Sequence, residues 1–171
     1  MSLADIIFTV VNRLFPARTA YAHCDIPCGI YDPHLAQVAA HTVLRMNKLA
    51  QDLPKPGPSA SPQEMETYAS KLSRYTSTQD EHAELCKREL RILWGDYFKP
   101  EHVQQHPKLH DLFWNAMKQG SAARQNYDAK AAEPLLASTQ EIAEIFWRTK
   151  GANPVRKPSL QPTGGEIVYP A

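Results

Sequence analysis

An all-α fold, an antiparallel four-helix bundle preceded by a short hook of chain, is the architecture this sequence predicts, on three observations. Apolar residues recur at steps of three and four over long stretches, the signature of helices with one buried face. Prolines, which cannot continue a helix, divide those stretches into separate segments. No run of alternating β-branched residues marks a strand.

The chain has 171 residues, enough for one well-cored domain. Its 19 basic and 18 acidic residues nearly cancel, so composition gives no footprint for nucleic acid and no attraction to anionic membranes. No stretch of about 18 consecutive apolar residues occurs, which excludes an ordinary transmembrane helix. Three cysteines in a chain this long do not make a disulfide scaffold. They fit a reducing, cytoplasmic compartment, with metal or redox chemistry as the question to ask.

The elements follow in order. Leu3, Ile6, Ile7, Val10, Val11 and Leu14 form a short amphipathic helix that ends before Pro16. Ala20-Tyr21-Ala22 then imitates a secretory cleavage site, but the amino end is not basic and Asn12 and Arg13 interrupt the apolar core. Residues 1–22 read as a removable propeptide. Asp32-Pro33 starts the first bundle helix, running to about Asp52, with Leu35, Val38, Ala39, Met46, Leu49, Ala50 and Leu53 on its core face. Pro54, Pro56, Gly57 and Pro58 make a loop.

Ser61-Pro62 opens the second helix, with Glu64 and Glu66 suiting its amino end. Ala83, Cys86, Leu90, Leu93 and Tyr97 give it a bundle seam that stops at Pro100. A third helix begins around Pro107, with Leu109, Leu112, Phe113, Ala116, Met117 and Ala123 inward, and a fourth runs from near Pro134 to Gly151. Residues 151–171, with four prolines and three glycines, form an extended, mobile tail unless they dock on a neighbouring subunit.

The chemistry lies in His23-Cys24-Asp25-Ile26-Pro27-Cys28-Gly29. Pro27, Gly29 and Pro33 forbid a helix here, so the chain turns sharply and can offer one imidazole and two thiolates to a single atom. Such a donor set suits zinc, copper(I) or nickel. Neither the spacing of zinc fingers nor the C-x-x-C of thioredoxin-like enzymes is present, and on spacing alone an inert cysteine turn fits as well. Position adds weight: removal of residues 1–22 turns His23 into a free amino terminus, adding an amine to its imidazole.

The segment from His23 to Pro33 resembles the nickel hook of nickel superoxide dismutases. Leu93-Trp94-Gly95-Asp96-Tyr97-Phe98-Lys99-Pro100 resembles the end of that family's second long helix, and Ile145-Phe146-Trp147 its last. The likeness spans His23 to Lys150. It implies one nickel ion per subunit, held in a plane by the new amine of His23, the backbone amide nitrogen of Cys24 and the thiolates of Cys24 and Cys28, with the His23 imidazole axial to the oxidised metal. Electron-rich thiolate and amidate donors would bring the Ni(II)/Ni(III) couple between the two half-reactions of superoxide. Tyr31 and Tyr97 would hold water and narrow the approach, and Asp25 would help fix the hook. The resemblance further implies a homohexamer, and a maturation protease that cleaves after Ala22 to activate the enzyme.

Two positions depart from the family. Ala39 stands where a glutamate orients the axial imidazole, and His82 where an arginine supports it. Cys86 follows the helix seam and reads as core. His102, His106 and His110 recur at steps of four, but Pro107 separates them into a solvated connection. His34 and His41 read as surface or interface residues. No phosphate-binding glycine loop and no G-x-S-x-G element occurs. Two rivals to the dismutase are a non-catalytic nickel- or copper-binding or delivery module, and a helical interaction protein with an inert cysteine turn.

Overall fold

A computed structural model describes Ser2, Ala4, Asp5, Thr9, Val11, Arg13 and residues 29–171. The helix expected over the first 15 residues lies largely outside them. The described chain is mostly helical. It runs through α1 (His34–Gln51), α2 (Pro62–Ile92), one π-helical turn (Leu93–Tyr97), the short α3 (Pro100–Gln105), α4 (Leu109–Arg124) and α5 (Ala129–Thr149), then strands β1 (Pro154–Pro158) and β2 (Glu166–Pro170). The four long helices share one core: α1 packs on α2 and α5, and α4 packs on the same two helices. No helix among the described residues is long and apolar enough to cross a membrane.

Local chemistry sets most boundaries. Asp32 Oδ1 accepts from the His34 N–H at 2.6 Å, satisfying one of the orphan donors that open α1. Ser61 and Glu64 close a reciprocal capping box on α2, with Ser61 N–H donating to Glu64 Oε2 at 2.7 Å and Glu64 N–H to Ser61 Oγ at 3.3 Å. The Thr76-Ser77-Thr78 run does not break α2, which continues for 31 residues. Asp128 Oδ1 caps α5 through the Lys130 N–H, so α5 begins five residues before the expected start at Pro134. That proline lies inside the helix on an exposed surface, where the lost N–H leaves only a solvated carbonyl.

Burial corrects the expected face of α1. Ala36, Ala39, Ala40, Val43 and Leu44 face the core with Gln37, His41 and Asn47, while Leu35 and Val38 remain 46% and 36% exposed. Alanines present little apolar surface individually, yet they let neighbouring backbones approach closely, and here that outweighs side-chain size. The polar members of this face hold the fold together. Asn47 Nδ2 donates to the carbonyls of Ala123 (3.2 Å) and Asp128 (3.0 Å). Gln79 Nε2, with two hydrogens to give, lies within hydrogen-bonding distance of the carbonyls of Ala123 (2.6 Å) and Asn126 (2.9 Å) and of Asn47 Oδ1. Two buried amides thus clamp the α4–α5 connection to α1 and α2.

The segment read as a mobile tail is instead an antiparallel hairpin docked on its own subunit, with Val155 opposite Tyr169 and Lys157 opposite Ile167. Gly151, at φ +80°, makes the reversal out of α5. Its N–H donates to the Arg148 carbonyl and that of Ala152 to the Trp147 carbonyl, each at 3.0 Å, the paired bonds of a glycine-terminated helix. Ile167 and Val168 are buried. Gln37 acts as a neighbouring strand would: its Oε1 accepts from Val168 N–H at 2.7 Å and its Nε2 donates to the Val168 carbonyl at 3.1 Å. His41, expected at the surface or an interface, is buried within its own subunit; its Nε2 donates to the Glu166 carbonyl at 3.0 Å, and Thr163 Oγ1 lies 3.3 Å from its Nδ1. From α5, Gln140 Nε2 reaches the same carbonyl at 2.6 Å, and Glu144 pairs with Arg156 at 2.6 Å.

Replacing Gln37 by alanine leaves a buried donor and acceptor on β2 without partners. We expect Gln37→Ala to lower unfolding stability by about 1–3 kcal/mol, with faster amide exchange at Val168. Unchanged denaturant midpoint and exchange would show that the hairpin does not depend on this contact.

Candidate metal centre

His23, Cys24, Asp25 and Cys28 lie outside the described residues, so the structure bears on the hook through the chain that leaves it and the surface beneath that chain. Gly29 has φ +89°, a left-handed conformation that a side chain would strain, directly after Cys28. Ile30 is exposed, Tyr31 half-buried and Pro33 buried. Five residues, 29–33, join Cys28 to the first turn of α1, and of them Tyr31 and Pro33 reach into the protein.

Tyr31 packs on Tyr97, their ring centroids 5.5 Å apart. Tyr97 closes the π-helical turn, in which the Phe98 N–H donates to the Leu93 carbonyl at 3.0 Å, five residues back instead of four. Such a turn inserts a residue into the helix and re-aims the side chains beyond it. Tyr97 consequently leaves the helix seam and enters an aromatic cluster. Phe146 of α5 lies 4.5 Å away, Phe98 5.0 Å, and the His102 ring stacks at 5.7 Å and 19°.

The hydroxyl of Tyr97 lies 2.8 Å from Thr149 Oγ1. The single Thr149 proton goes to the Phe146 carbonyl at 2.7 Å, so Tyr97 donates to Thr149. Its O–H is engaged with the protein, leaving the ring as a wall and the oxygen as an acceptor. Tyr31 makes no side-chain hydrogen bond among the described residues. Lys150 places Nζ 5.0 Å from the Tyr97 ring centroid. Sequence reasoning found both tyrosines but not Thr149 or Lys150, whose proximity to Tyr97 is purely tertiary.

The other candidates serve structural contacts, His102 as part of the aromatic cluster on Tyr97. Cys86 is fully buried; its Sγ lies 3.6 Å from Thr139 Oγ1, whose proton is given to the Leu135 carbonyl. Burial pushes its thiol up to about 12, so it stays protonated and packs as a small hydrophobe. His102 Nδ1 accepts from the Lys99 N–H and His110 Nδ1 from Trp94 Nε1–H, each serving a local contact. Among the described residues no group of three or more histidines, cysteines or carboxylates converges on a metal position. Ala39 is core, and His82 donates from Nδ1 to the Thr78 carbonyl at 3.0 Å.

Comparison with known proteins gives a consistent result. A model of nickel-containing superoxide dismutases matches residues 18–150. The nickel superoxide dismutase of Streptomyces coelicolor is 37% identical over 144 residues, covering 84% of this chain and 100% of the relative. That of Streptomyces seoulensis is likewise 37% identical over the same span. Among solved structures, a nickel-containing superoxide dismutase whose nickel ligation corresponds to partial X-ray-induced reduction superposes with a TM-score of 0.63. It is 36% identical, covering 76% of this chain and 100% of the other. A native nickel superoxide dismutase structure gives 0.62 at 34% identity, covering 75% and 99%. The hairpin lies beyond the family match.

The buried thiol has a pH consequence. Because the folded form holds its proton up to about 12 while the unfolded thiol loses it near 9.0, the folded chain binds more protons across that window. Its contribution is intact below pH about 9 and is lost as pH rises toward 12, by up to about 1.4 kcal/mol per unit. Denaturant unfolding from pH 8 upward should show a steeper decline for the native chain than for Cys86→Ala. Parallel curves would mean that Cys86 is not shielded from solvent.

Proposed function

The chain belongs to the nickel-containing superoxide dismutase family, and from that premise we propose that residues 1–22 are removed and that His23, Cys24 and Cys28 hold the nickel above the Tyr31–Tyr97 junction. The family is a nickel-dependent oxidoreductase that converts superoxide to dioxygen and hydrogen peroxide. The comparisons favour this enzyme over a non-catalytic nickel or copper module.

The donor chemistry fits the metal. Two thiols and an imidazole within six residues, with a proline between the thiols, form a compact soft-donor set. Gly29 lets the chain turn at once after the second thiol, and the described residues offer no competing cluster. Nickel, when bound, supplies a one-electron couple that takes an electron from one superoxide and returns one to another, so that two superoxide anions and two protons give dioxygen and hydrogen peroxide.

The residues have separable tasks. While residue 22 remains attached, the His23 nitrogen is a peptide nitrogen whose lone pair is delocalised into the carbonyl. Cleavage after Ala22 by a maturation protease makes it a basic amine. The thiolates of Cys24 and Cys28 would hold the metal as electron-rich donors that make it easier to oxidise, and the His23 imidazole would be a further nitrogen donor. Asp25 fixes the hook. Tyr31 offers its O–H to water or substrate, and the Tyr97 ring, immobilised through Thr149, narrows the approach. The observation that carries this reading is the 5.5 Å contact of the two tyrosines at the base of the cysteine-bearing segment.

The proposal extends to organisation. Residues 23–150 are the hook plus an antiparallel four-helix bundle, supported by the mutual packing of α1, α2, α4 and α5, and residues 151–171 are an appended unit. The subunits form a homohexamer in which neighbours brace the hooks. Leu35, Met65 and Trp114, 46%, 50% and 56% exposed, are apolar surface suited to such contacts. The compartment is the cytoplasm, where thiols stay reduced.

In protein beginning at His23, Cys24→Ser and Cys28→Ser should each lose both nickel and superoxide turnover, the latter by at least about a hundredfold. Metal content by mass spectrometry and superoxide decay by stopped flow check this. Full turnover in either serine variant would sink the assignment of the thiolates.

A further inference from the structure

We propose that the cavity between α1 and the hairpin is a binding site for a small amphipathic anion, a carboxylate on a short hydrocarbon chain, in a role apart from the metal centre. The cavity measures about 220 Å³. Val38 and Met46 of α1, with Pro162 and Ile167 of the carboxy-terminal segment, make its walls apolar, while Thr42 and Arg45 bring a hydroxyl and a guanidinium to it. Val38 is 36% exposed and Arg45 half-buried, so a ligand can reach both from solvent.

The frame of the cavity is fixed by hydrogen bonds. His41 also lines it, with its two ring nitrogens engaged by the Glu166 carbonyl and Thr163 Oγ1, and Lys48 Nζ lies 3.4 Å from the Thr163 carbonyl. Gly165, at φ +74°, brings the turn against that ring: a side-chain carbon there would stand 3.4 Å from His41 Cε1. The cavity is thus formed by a hairpin held in place. Its hairpin wall lies beyond the part of the chain that matches the family, which separates the site from the family's chemistry.

Charge selects the sign of the ligand. α1 carries Arg45 and Lys48 and no carboxylate. The acidic side chain of the hairpin, Glu166, lies 4.0 Å from Arg156, and no carboxylate among the described residues is within ion-pairing distance of Arg45. A half-buried guanidinium among apolar walls suits a carboxylate, which can accept two of its N–H groups at once while the hydrocarbon covers the walls. A cationic ligand would meet like charge. An engineered apolar cavity of about 150 Å³ accepts benzene, so this larger one takes a chain of about six carbons with its carboxylate at Arg45. Because the site exists only with the hairpin docked, the ligand also stabilises docking.

The test titrates hexanoate, hexanol and hexylammonium into the full chain and follows the methyl resonances of Val38, Met46 and Ile167. We expect saturable shifts with hexanoate, an affinity at least about tenfold lower for the alcohol, and no binding of the ammonium. In Arg45→Gln, hexanoate affinity should fall to that of the alcohol. In Val38→Phe, whose ring takes up the cavity, neither hexanoate nor hexanol should shift Met46 or Ile167. Both substitutions lie at solvent-accessible positions, so the fold is kept. Hexanoate should also slow amide exchange at Ile167 and Val168 in the native chain and not in Val38→Phe. Absence of saturable shifts, equal affinities for hexanoate and hexanol, or undiminished binding in Arg45→Gln would overturn the proposal. Native binding in Val38→Phe would put hexanoate elsewhere on the protein and overturn it as well.

Discussion

The contact between Tyr31 and Tyr97 is the constraint on which the rest of the proposed site depends. A six-residue hook has too few residues to bury anything or to define its own position, so its geometry must be borrowed from a rigid body. Tyr31 is the first residue after the hook to become partly buried, and the aromatic ring it meets is fixed from three directions. The π-helical turn aims Tyr97 away from the helix seam, Phe146 supports it at 4.5 Å, and Thr149 takes its proton. Since Phe146 and Thr149 belong to the last long helix and Tyr97 to the end of the second, the aromatic surface that receives Tyr31 exists only once distant segments have packed together.

The scaffold gains that rigidity from buried amides as much as from apolar packing. Asn47 and Gln79 fasten the α4–α5 connection, and Gln37, His41 and Gln140 fasten the hairpin. Each would be costly unpaired; paired, each specifies one arrangement, because a displaced partner leaves a buried polar group unsatisfied. The hairpin thereby tightens α1 against α5, the two elements that carry the exit from the hook and the support of Tyr97.

Much of this was legible in the sequence, and the exceptions have physical causes. The donors of the hook are contiguous, so their chemistry can be read without a structure, and Tyr97 sits in a distinctive block. Thr149 and Lys150 carry no local signal, since only the packing of α5 on the π-turn gives them meaning. The π-turn itself is a shift of one residue in a hydrogen-bond pattern, which composition does not record. The face of α1 was displaced toward Leu35 and Val38 because hydrophobic periodicity weights large side chains, while the real interface is built on alanines and buried polar groups. The hairpin was missed for a related reason: its prolines and glycines suggest a free tail, and its anchors are glutamine and histidine side chains that a hydrophobic pattern assigns to solvent.

The central claim is that the amino group of His23, released by cleavage and carried over the tyrosine junction, completes a redox-active nickel site. The most direct measurement is superoxide dismutation by protein that begins at His23, loaded with nickel, beside the chain retaining residues 1–22 and treated identically. Turnover confined to the trimmed protein is the result this account predicts. Equal turnover in the uncleaved chain, or none in trimmed protein that demonstrably binds nickel, would contradict it.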